Sequence, residues 1–410
     1  MRGRPRLHTS YSADSAILPT TSKRVMLGVL LVVAVLAPFG KVPLLGFLGG
    51  SGWQLVLLQV LVFSIGALGL NILTGLAGQV SLGHAFFLGV GAYAGVVLGG
   101  EGGPSLWGLG LPIWIWLPGA GVVAALVGVL VSPAAVRLRG LYLGIVTLGL
   151  VFLGDHLFRN LDSIAGSPGI GRQWPELSWR VWKEEQPLLD LESAGTWLGA
   201  DVTSNQKQFL FVLALLVIFA LAAKNLSRTR IGRALQAIRD RDVAAEVMGV
   251  PEARCKLIAF AVSSFYAGVA GALLGSIVGA LNPEFWSLSL SVEFIAILLI
   301  GGIGTISGTL MGATFVVMSS RLIEDFTRFL ERTAAGDGPL RGLADLFVSR
   351  GAEDFGLLSL EPTGPGLSVF SFNQLFYGLL VILFLILEPL GFYGIWIKVR
   401  NYWTRWPFSY

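Results

Sequence analysis

The stretch WQLVLLQVLVFSIGALGLNIL, residues 53–73, contains 21 residues and no charged side chain. A helix needs about 20 mostly apolar residues to cross the hydrocarbon core of a bilayer, so this stretch predicts a transmembrane helix. The rest of the chain has the same character: 54% of its residues are hydrophobic, 13% are charged, and the mean hydropathy is +0.73. Soluble domains carry about 25% charged residues, so the composition excludes a soluble globular protein.

Further apolar stretches follow on both sides of this one, several of them short and bounded by glycines. The ten candidate spans are 25–39, 53–73, 84–99, 111–131, 141–158, 208–223, 257–280, 288–302, 308–323 and 374–390. The sequence therefore predicts an all-α polytopic membrane protein with about ten transmembrane helices.

The basic residues of the short loops predict the orientation of these spans. Residues 1–24 are polar and basic, and no A-x-A cleavage site follows the first apolar run, so we expect an uncleaved first span rather than a signal peptide. Both chain ends are then cytoplasmic. The expected domains are a cytoplasmic tail (1–24), a transmembrane domain (25–398) with a cytoplasmic loop (224–256) and outer loops (159–207 and 324–373), and a second cytoplasmic tail (399–410).

One segment of the predicted cytoplasmic loop is charged and amphipathic, as expected for a solvent-exposed helix. Its sequence is SRTRIGRALQAIRDRDVAAEVMGV, residues 227–250. Apolar residues at 231, 234, 235 and 238 have helical spacing. Thr229 and Asp242 can each cap a short helix, and Gly249 can end the second one in a left-handed conformation. We expect two short helices joined near 239–242. An interfacial helix on lipid headgroups is the alternative, but the mixed charges favour docking to a partner protein.

Two polar breaks in the apolar pattern resemble each other. TGLAGQVSLGHAFFLGVGAYAG (74–95) follows the second span and NPEFWSLSLSVEFIAILLIGGIG (282–304) follows the seventh. The predicted orientation places the first break inside and the second outside, which is the pattern of an inverted repeat in a transporter. A general preference for Gly and Ser in membrane helices explains the similarity as well.

Polar residues at these breaks are candidates for a substrate path, because backbone groups freed by an unwound segment must meet a cavity, water or ligand. A carboxylate within a span, such as Glu293, is costly and indicates function, or pairing at the span end. Helix–helix packing is the alternative for each residue, and Ser307, Asp155 and His156 are weaker candidates. The path candidates are Asn71, Gln79, Ser81, His84, Glu293 and Thr305.

Three blocks together resemble a known family. NILTGLAGQVSLGHAFFLGVGAY (71–93), GRALQAIRDRDVAAEVMGV (232–250) and SVEFIAILLIGGIGTISGTLMGA (291–313) are similar to permeases of ATP-binding-cassette importers of the branched-chain amino-acid type, in the family's order. The resemblance covers residues 53–391. It implies a type II-like importer permease in a bacterial-type cell membrane. The long N-terminal tail and the insertion around 331–363 depart from the common pattern.

The resemblance also implies the partners. The sequence contains no G-x-x-x-x-G-K-[ST] phosphate-binding loop, so ATP and Mg²⁺ would bind separate ATPase subunits. A second permease and an extracytoplasmic solute-binding protein would complete the transporter. We expect no enzyme activity, no cofactor or metal in this chain, and no nucleic-acid partner. The residues implied to couple to the ATPase are Arg233, Arg239, Asp240, Asp242, Ala244, Ala245, Glu246 and Gly249.

Three alternatives stay open at this point. The substrates implied first are branched-chain amino acids, but urea, short amides and other amino acids fit related permeases. An ion-coupled secondary transporter would need acidic residues in mid-span and no docking loop. A membrane enzyme would need clustered His, Asp, Glu or Cys on one face, whereas the candidates here are scattered.

Overall fold

The computed structural model describes the chain outside residues 1–20, 42–45, 104–105, 139, 167–171, 176, 180–188, 198–199, 336–347, 350–357, 360–366, 389 and 406–410. Most of the expected tail 1–24 therefore lies outside the described residues. The helices of more than two turns are α1 Thr21–Leu36, α2 Ser51–Leu70, α3 His84–Gly99, α4 Ile113–Arg137, α5 Leu141–Asn160, α6 Ser204–Leu226, α7 Arg230–Val247, α8 Glu252–Val278, α9 Leu288–Gly301, α10 Ile306–Ala335, α11 Val369–Leu387 and α12 Gly391–Arg405.

The predicted all-α polytopic architecture is confirmed. Among the described residues, seven helical segments are long and apolar enough to cross a membrane: Ser51–Leu76, Ile113–Arg137, Leu141–Asn160, Ser204–Leu226, Glu252–Val278, Pro283–Gly301 and Ile306–Leu330. Three shorter apolar helices are Arg24–Phe39, His84–Gly99 and Gln374–Phe384. Each of the ten predicted spans overlaps one of these ten segments.

Two long helices, α2 and α8, form the centre of the bundle. Helix α2 packs against α6, α8 and α10, and helix α8 packs against α3 and α4 as well. Helices α3 and α8 approach closely because glycines meet at their interface. A Cβ atom at Gly91 would overlap the backbone of Gly268, so neither position has room for a side chain. Small residues at such contacts let transmembrane helices associate through van der Waals packing.

The packing order repeats along the chain. Helix α3 is short, follows a break after α2, and packs against α4 and α8. Helix α9 is also short, follows a break after α8, and packs against α10 and α2. The halves α2–α5 and α8–α11 therefore place their helices in the same order, as the predicted inverted repeat requires.

Short strands lie at one end of the bundle, which we call the β end. Strand β1 (Arg172–Gln173) pairs antiparallel with strand β6 (Ala280–Leu281), and β6 directly follows α8. The buried Arg172 guanidinium donates to the carbonyl oxygens of Trp107 (2.5 Å) and Glu101 (2.9 Å), and its burial lowers the pKa of Arg172. The other strands are β2 Ser178–Trp179, β3 Leu189–Asp190, β4 Gly195–Trp197, β5 Ala200–Val202, β7 Val348–Ser349, β8 Leu358–Ser359 and β9 Leu367–Ser368.

The opposite end, which carries α7, is called the α7 end below. Here Lys256, in the first turns of α8, is almost completely buried. Its ammonium group lies 2.6 Å from a Glu252 carboxylate oxygen and donates to the carbonyl oxygen of Ala135 at 3.1 Å. Because a buried cation needs such partners, this pair fixes the start of α8 against the last turn of α4.

Helix α10 is longer than predicted. It ends at Ala335, twelve residues beyond the predicted span end at 323 and inside the expected outer loop 324–373. Charged residues at helical spacing stabilise the extension, since Arg321 lies 3.3 Å from both Glu324 and Asp325. The predicted span ends where these charged residues interrupt the apolar run, whereas the helix itself continues through them.

Helix α12 was not predicted, and it runs across the expected boundary between residues 398 and 399. It begins at Gly391, which has φ +62°. Gly391 packs against the carbonyl of Ile300, in the last turn of α9, and against Gly302, which follows α9. The Phe392 ring lies 5.0 Å from the rings of both Phe315 and Phe384. Its apolar run, residues 391–397, is only seven residues long and is followed by Lys398 and Arg400, so it is too short to be recognised as a span.

Candidate functional site

Helix α7 consists of two helices joined by a kink, as the sequence predicts. Arg241 has extended backbone angles (φ −158°, ψ 99°) in the middle of the segment. Thr229 caps the first helix by accepting a hydrogen bond from the Gly232 amide at 3.2 Å. The Asp242 carboxylate accepts from the Val243 amide at 2.8 Å at the start of the second helix. Gly249, with φ +83°, ends the second helix in the predicted left-handed conformation.

The kinked segment buries one face and exposes another. Leu235, Ile238 and Ala245 are buried against the bundle. The second helix, in contrast, exposes large apolar side chains, since Val247 is 82% and Met248 is 84% exposed. Exposed apolar side chains next to charged ones are typical of protein interaction sites.

Most of the residues implied to couple to an ATPase lie on this exposed face. Arg233 donates to the Arg228 carbonyl at 3.0 Å, and Arg239 forms an ion pair with Asp240 at 3.0 Å. Ala245 is buried and Asp242 is half-buried. Exposed residues of the set are Arg233, Arg239, Asp240, Ala244, Glu246 and Gly249.

Arg239 stands out in this set because its charged side chain reaches the transmembrane bundle. Its guanidinium group donates to the carbonyl oxygen of Gly75 at 2.8 Å. Gly75 lies in a π-helical turn, Asn71–Leu76, that continues α2 without interruption. The segment outside the bundle therefore touches the break that the sequence singles out for a substrate path.

After the π-helical turn, residues 77–83 are non-helical, and α3 begins at His84. The buried His84 Nε2 lies 3.0 Å from the carbonyl oxygen of Gly66. Gly66 precedes Leu76 by ten residues, which is about 15 Å along a helix. Helix α3 therefore starts well inside the bundle, and the chain re-enters from the α7 end as the glycine-rich break predicts.

Several polar groups at this break form hydrogen bonds within the chain. The amide of Leu82 donates to the Thr147 hydroxyl at 3.0 Å, and the amide of Ala85 donates to the Ser291 hydroxyl at 2.9 Å. Residues of the predicted path also form hydrogen bonds. The Ser81 hydroxyl accepts from the backbone amide of Gly83, and the Gln79 side-chain Nε2 donates to the Ala77 carbonyl. Asn71 Oδ1 accepts from the backbone amide of Gly304.

Thr147 and Ser291 are functional candidates that the sequence does not single out. Ser291 lies in one of the three family-like blocks, so its position could have drawn attention. Thr147 lies in α5 with no motif around it, and only the fold brings it to the break.

The remaining path candidates differ in their burial and in their partners. Glu293 is half-buried in α9, and no hydrogen bond or ion pair to its carboxylate is present among the described residues. Thr305 donates to the Gly302 carbonyl at 2.9 Å, and Ser307 is exposed. Asp155 pairs with Arg159 at 2.9 Å at the β end, where His156 is also exposed.

Comparison with known proteins agrees with this architecture. The family model described as branched-chain amino acid transport system / permease component matches residues 54–385. The chain is 32% identical to the high-affinity branched-chain amino acid transport system permease protein LivM of Salmonella typhimurium and 33% identical to LivM of Escherichia coli; each match covers 78% of this chain and 74% of the relative. It is 29% identical to the permease LivH of Salmonella typhimurium, over 30% of this chain and 39% of that protein. No solved structure matches.

The match to the family model, residues 54–385, extends over the helices that build the bundle and includes both breaks and the kinked α7. The chain therefore belongs to the family of permease components of branched-chain amino acid transport systems.

Proposed function

We propose that this chain is the permease subunit of an ATP-binding-cassette importer and forms the translocation path for branched-chain amino acids. ATP and Mg²⁺ bind a separate ATPase subunit, and this chain contributes no catalytic residue, cofactor or metal. The observation that carries the proposal is α7, a kinked polar segment that exposes apolar side chains and touches a transmembrane break through Arg239. The names of the LivM relatives support the substrate class.

The proposed orientation places the α7 end in the cytoplasm together with both chain ends, and the β end outside. The basic residues of the short loops support it, because Arg137, Lys224 and Lys398 all lie at the α7 end. An extracytoplasmic solute-binding protein would then meet the β end. A second, homologous permease completes the pore, and the similarity to both LivM and LivH supports such a pair.

In this proposal, the exposed second helix of α7 seats in the ATPase. Val243 is 60% exposed beside the still more exposed Val247 and Met248, and Glu246 projects from the same turns. Closure of the ATPase dimer would displace α7 and shift the relative stability of the inward-facing and outward-facing states. Urea, short amides and other amino acids remain alternative substrates within the same mechanism.

The docking proposal predicts that Glu246→Arg and Met248→Asp each weaken co-purification with the ATPase subunits by roughly tenfold or more, because each places a charge of the wrong kind in a desolvated contact. The measurement is the amount of ATPase retained by the purified permease, followed by uptake of radiolabelled leucine into cells. Gly249 is a poor site for this test, since any side chain there strains a left-handed backbone.

Glu101→Arg is the matched control, because it reverses an exposed acid at the β end. It should leave ATPase retention unchanged. If both α7 variants fold, retain the ATPase and support uptake as the wild type does, α7 is not the docking element.

A further inference from the structure

The side chain of Arg239 links α7 to two separate parts of the bundle. Its stem packs on the turn after α2, since a Cβ atom at Gly78 would lie 2.8 Å from Arg239 Cγ. Its guanidinium donates to the carbonyl of Gly75 at 2.8 Å. The same Nη1 atom lies beside Gly304, only 3.2 Å from where a Cβ atom would be. Gly304, with φ +80°, belongs to the turn between α9 and α10.

Asn71 joins the same two turns from the inside. Its side chain is 2% exposed, and its Oδ1 atom accepts a hydrogen bond from the Gly304 amide at 2.8 Å across 233 residues of sequence. Asn71 is also the first residue of the π-helical turn. Such turns loosen the regular helical hydrogen bonding and are common at functional sites.

These contacts form a short continuous chain from α7 through Gly75 to Asn71 and Gly304. The first turn belongs to the α2–α5 half of the bundle and the second to the α8–α11 half. Arg233 lies two turns earlier on α7, and its guanidinium donates instead to Arg228 within the same segment. Arg239 therefore contacts both halves through one side chain, in addition to the apolar contacts between α7 and the bundle.

We infer that Arg239 and Asn71 are positioning residues that transmit a displacement of α7 to both repeat halves at once. This inference rests on the proposed function and deepens it. It assigns Asn71, at first a candidate for the substrate path, to coupling. A permease without this link would still bind the ATPase, and ATP would still be hydrolysed, but the two turns would no longer follow α7.

The test uses the complete transporter in proteoliposomes and measures ATP hydrolysed per leucine transported. Arg239→Gln and Asn71→Leu should each raise this ratio roughly tenfold, in the range of typical coupling free energies, while ATPase retention stays as in the wild type. The double variant should be no worse than the more impaired single variant, because both changes break one chain of contacts. Arg239→Lys and Asn71→Asp keep a donor or an acceptor and should give smaller increases.

Arg230→Gln is the matched control on the same helix, because Arg230 is exposed and lies outside the set expected to couple to the ATPase, and it should leave the ratio unchanged. Thermal unfolding of each purified variant reports on folding, and the conservative variants provide the test if a stronger change prevents folding. A wild-type ratio in all four Arg239 and Asn71 variants would overturn the inference, and so would loss of ATPase retention, which would make Arg239 a docking residue. Failure of the wild-type chain to bind an ATPase would instead refute the proposed function.

Discussion

Glu293 places a carboxylate within a span where the described residues offer it no hydrogen-bond or ion-pair partner. An acidic residue near the centre of a transmembrane helix costs about 2.5–3.5 kcal/mol in insertion experiments. We propose that Glu293 offsets this cost by interacting with the transported solute or with a partner outside this chain. An amino acid carries an ammonium group that a carboxylate on the path can attract.

We predict that Glu293→Gln lowers leucine uptake several-fold and leaves the thermal unfolding midpoint of the purified protein equal to or above that of the wild type, since the change removes an uncompensated charge. Transport assays and unfolding curves check the two parts separately. Glu284→Gln is the control, because Glu284 forms only an exposed ion pair with Arg159 at the β end. A clear drop in stability with unchanged uptake would assign Glu293 to structure.

The sequence indicates which residue types matter here but not their partners. Arg239, Asn71 and His84 are all visible as polar residues at breaks or in the polar loop. Their partners Gly75, Gly304 and Gly66 contribute backbone atoms, which a sequence does not distinguish from any other backbone. Only the fold brings these atoms together, because two of the three contacts join residues more than 160 positions apart.

Among the elements, α12 is a helix that the pattern of apolar residues in the sequence does not predict. The ten spans follow from their length and composition, whereas α12 mixes basic and apolar residues and is absent from that pattern. Its first residues nevertheless pack into the bundle. The same is true of the last turns of α10, which depend on ion pairs rather than on apolar length.

The prediction for α12 compares two aromatic residues of that helix. Phe392→Ala removes two ring contacts, worth about 0.5–1.5 kcal/mol each, and should lower the unfolding midpoint by a few degrees. Tyr402→Ala changes a side chain that is 61% exposed, so it should lower the midpoint less than Phe392→Ala does. Thermal unfolding of the two variants in the same detergent makes the comparison. Equal midpoints would mean that α12 adds no stability to α10 and α11.

At the scale of the whole molecule, glycines set the distance between the central helices. The high glycine content is visible in the sequence, but which glycines face each other is not, because nine of the ten predicted spans contain at least one. The structure brings Gly91 and Gly268 together and leaves Gly149, in α5, with open space beside it.

Gly268→Leu should therefore destabilise the protein by about 3 kcal/mol or more, because the new side chain would separate α8 from α3 and α4. Gly149→Leu makes the same chemical change within a span and should be nearly neutral. The measurement is the unfolding midpoint, together with the yield of folded protein after solubilisation. Similar losses in both variants would indicate that helix composition, rather than the close approach, determines stability.

The start of α3 deep inside the bundle has a consequence for how the chain is made. Unpaired backbone groups are not tolerated in lipid, and the non-helical residues before α3 depend on hydroxyl groups that come later in synthesis. Thr147 follows Leu82 by 65 residues, and Ser291 follows Ala85 by 206. The re-entrant turn cannot reach its final form while the ribosome is still translating the first half. During biogenesis, the start of α3 can therefore acquire its hydrogen bond to Ser291 only after α9 has been synthesised.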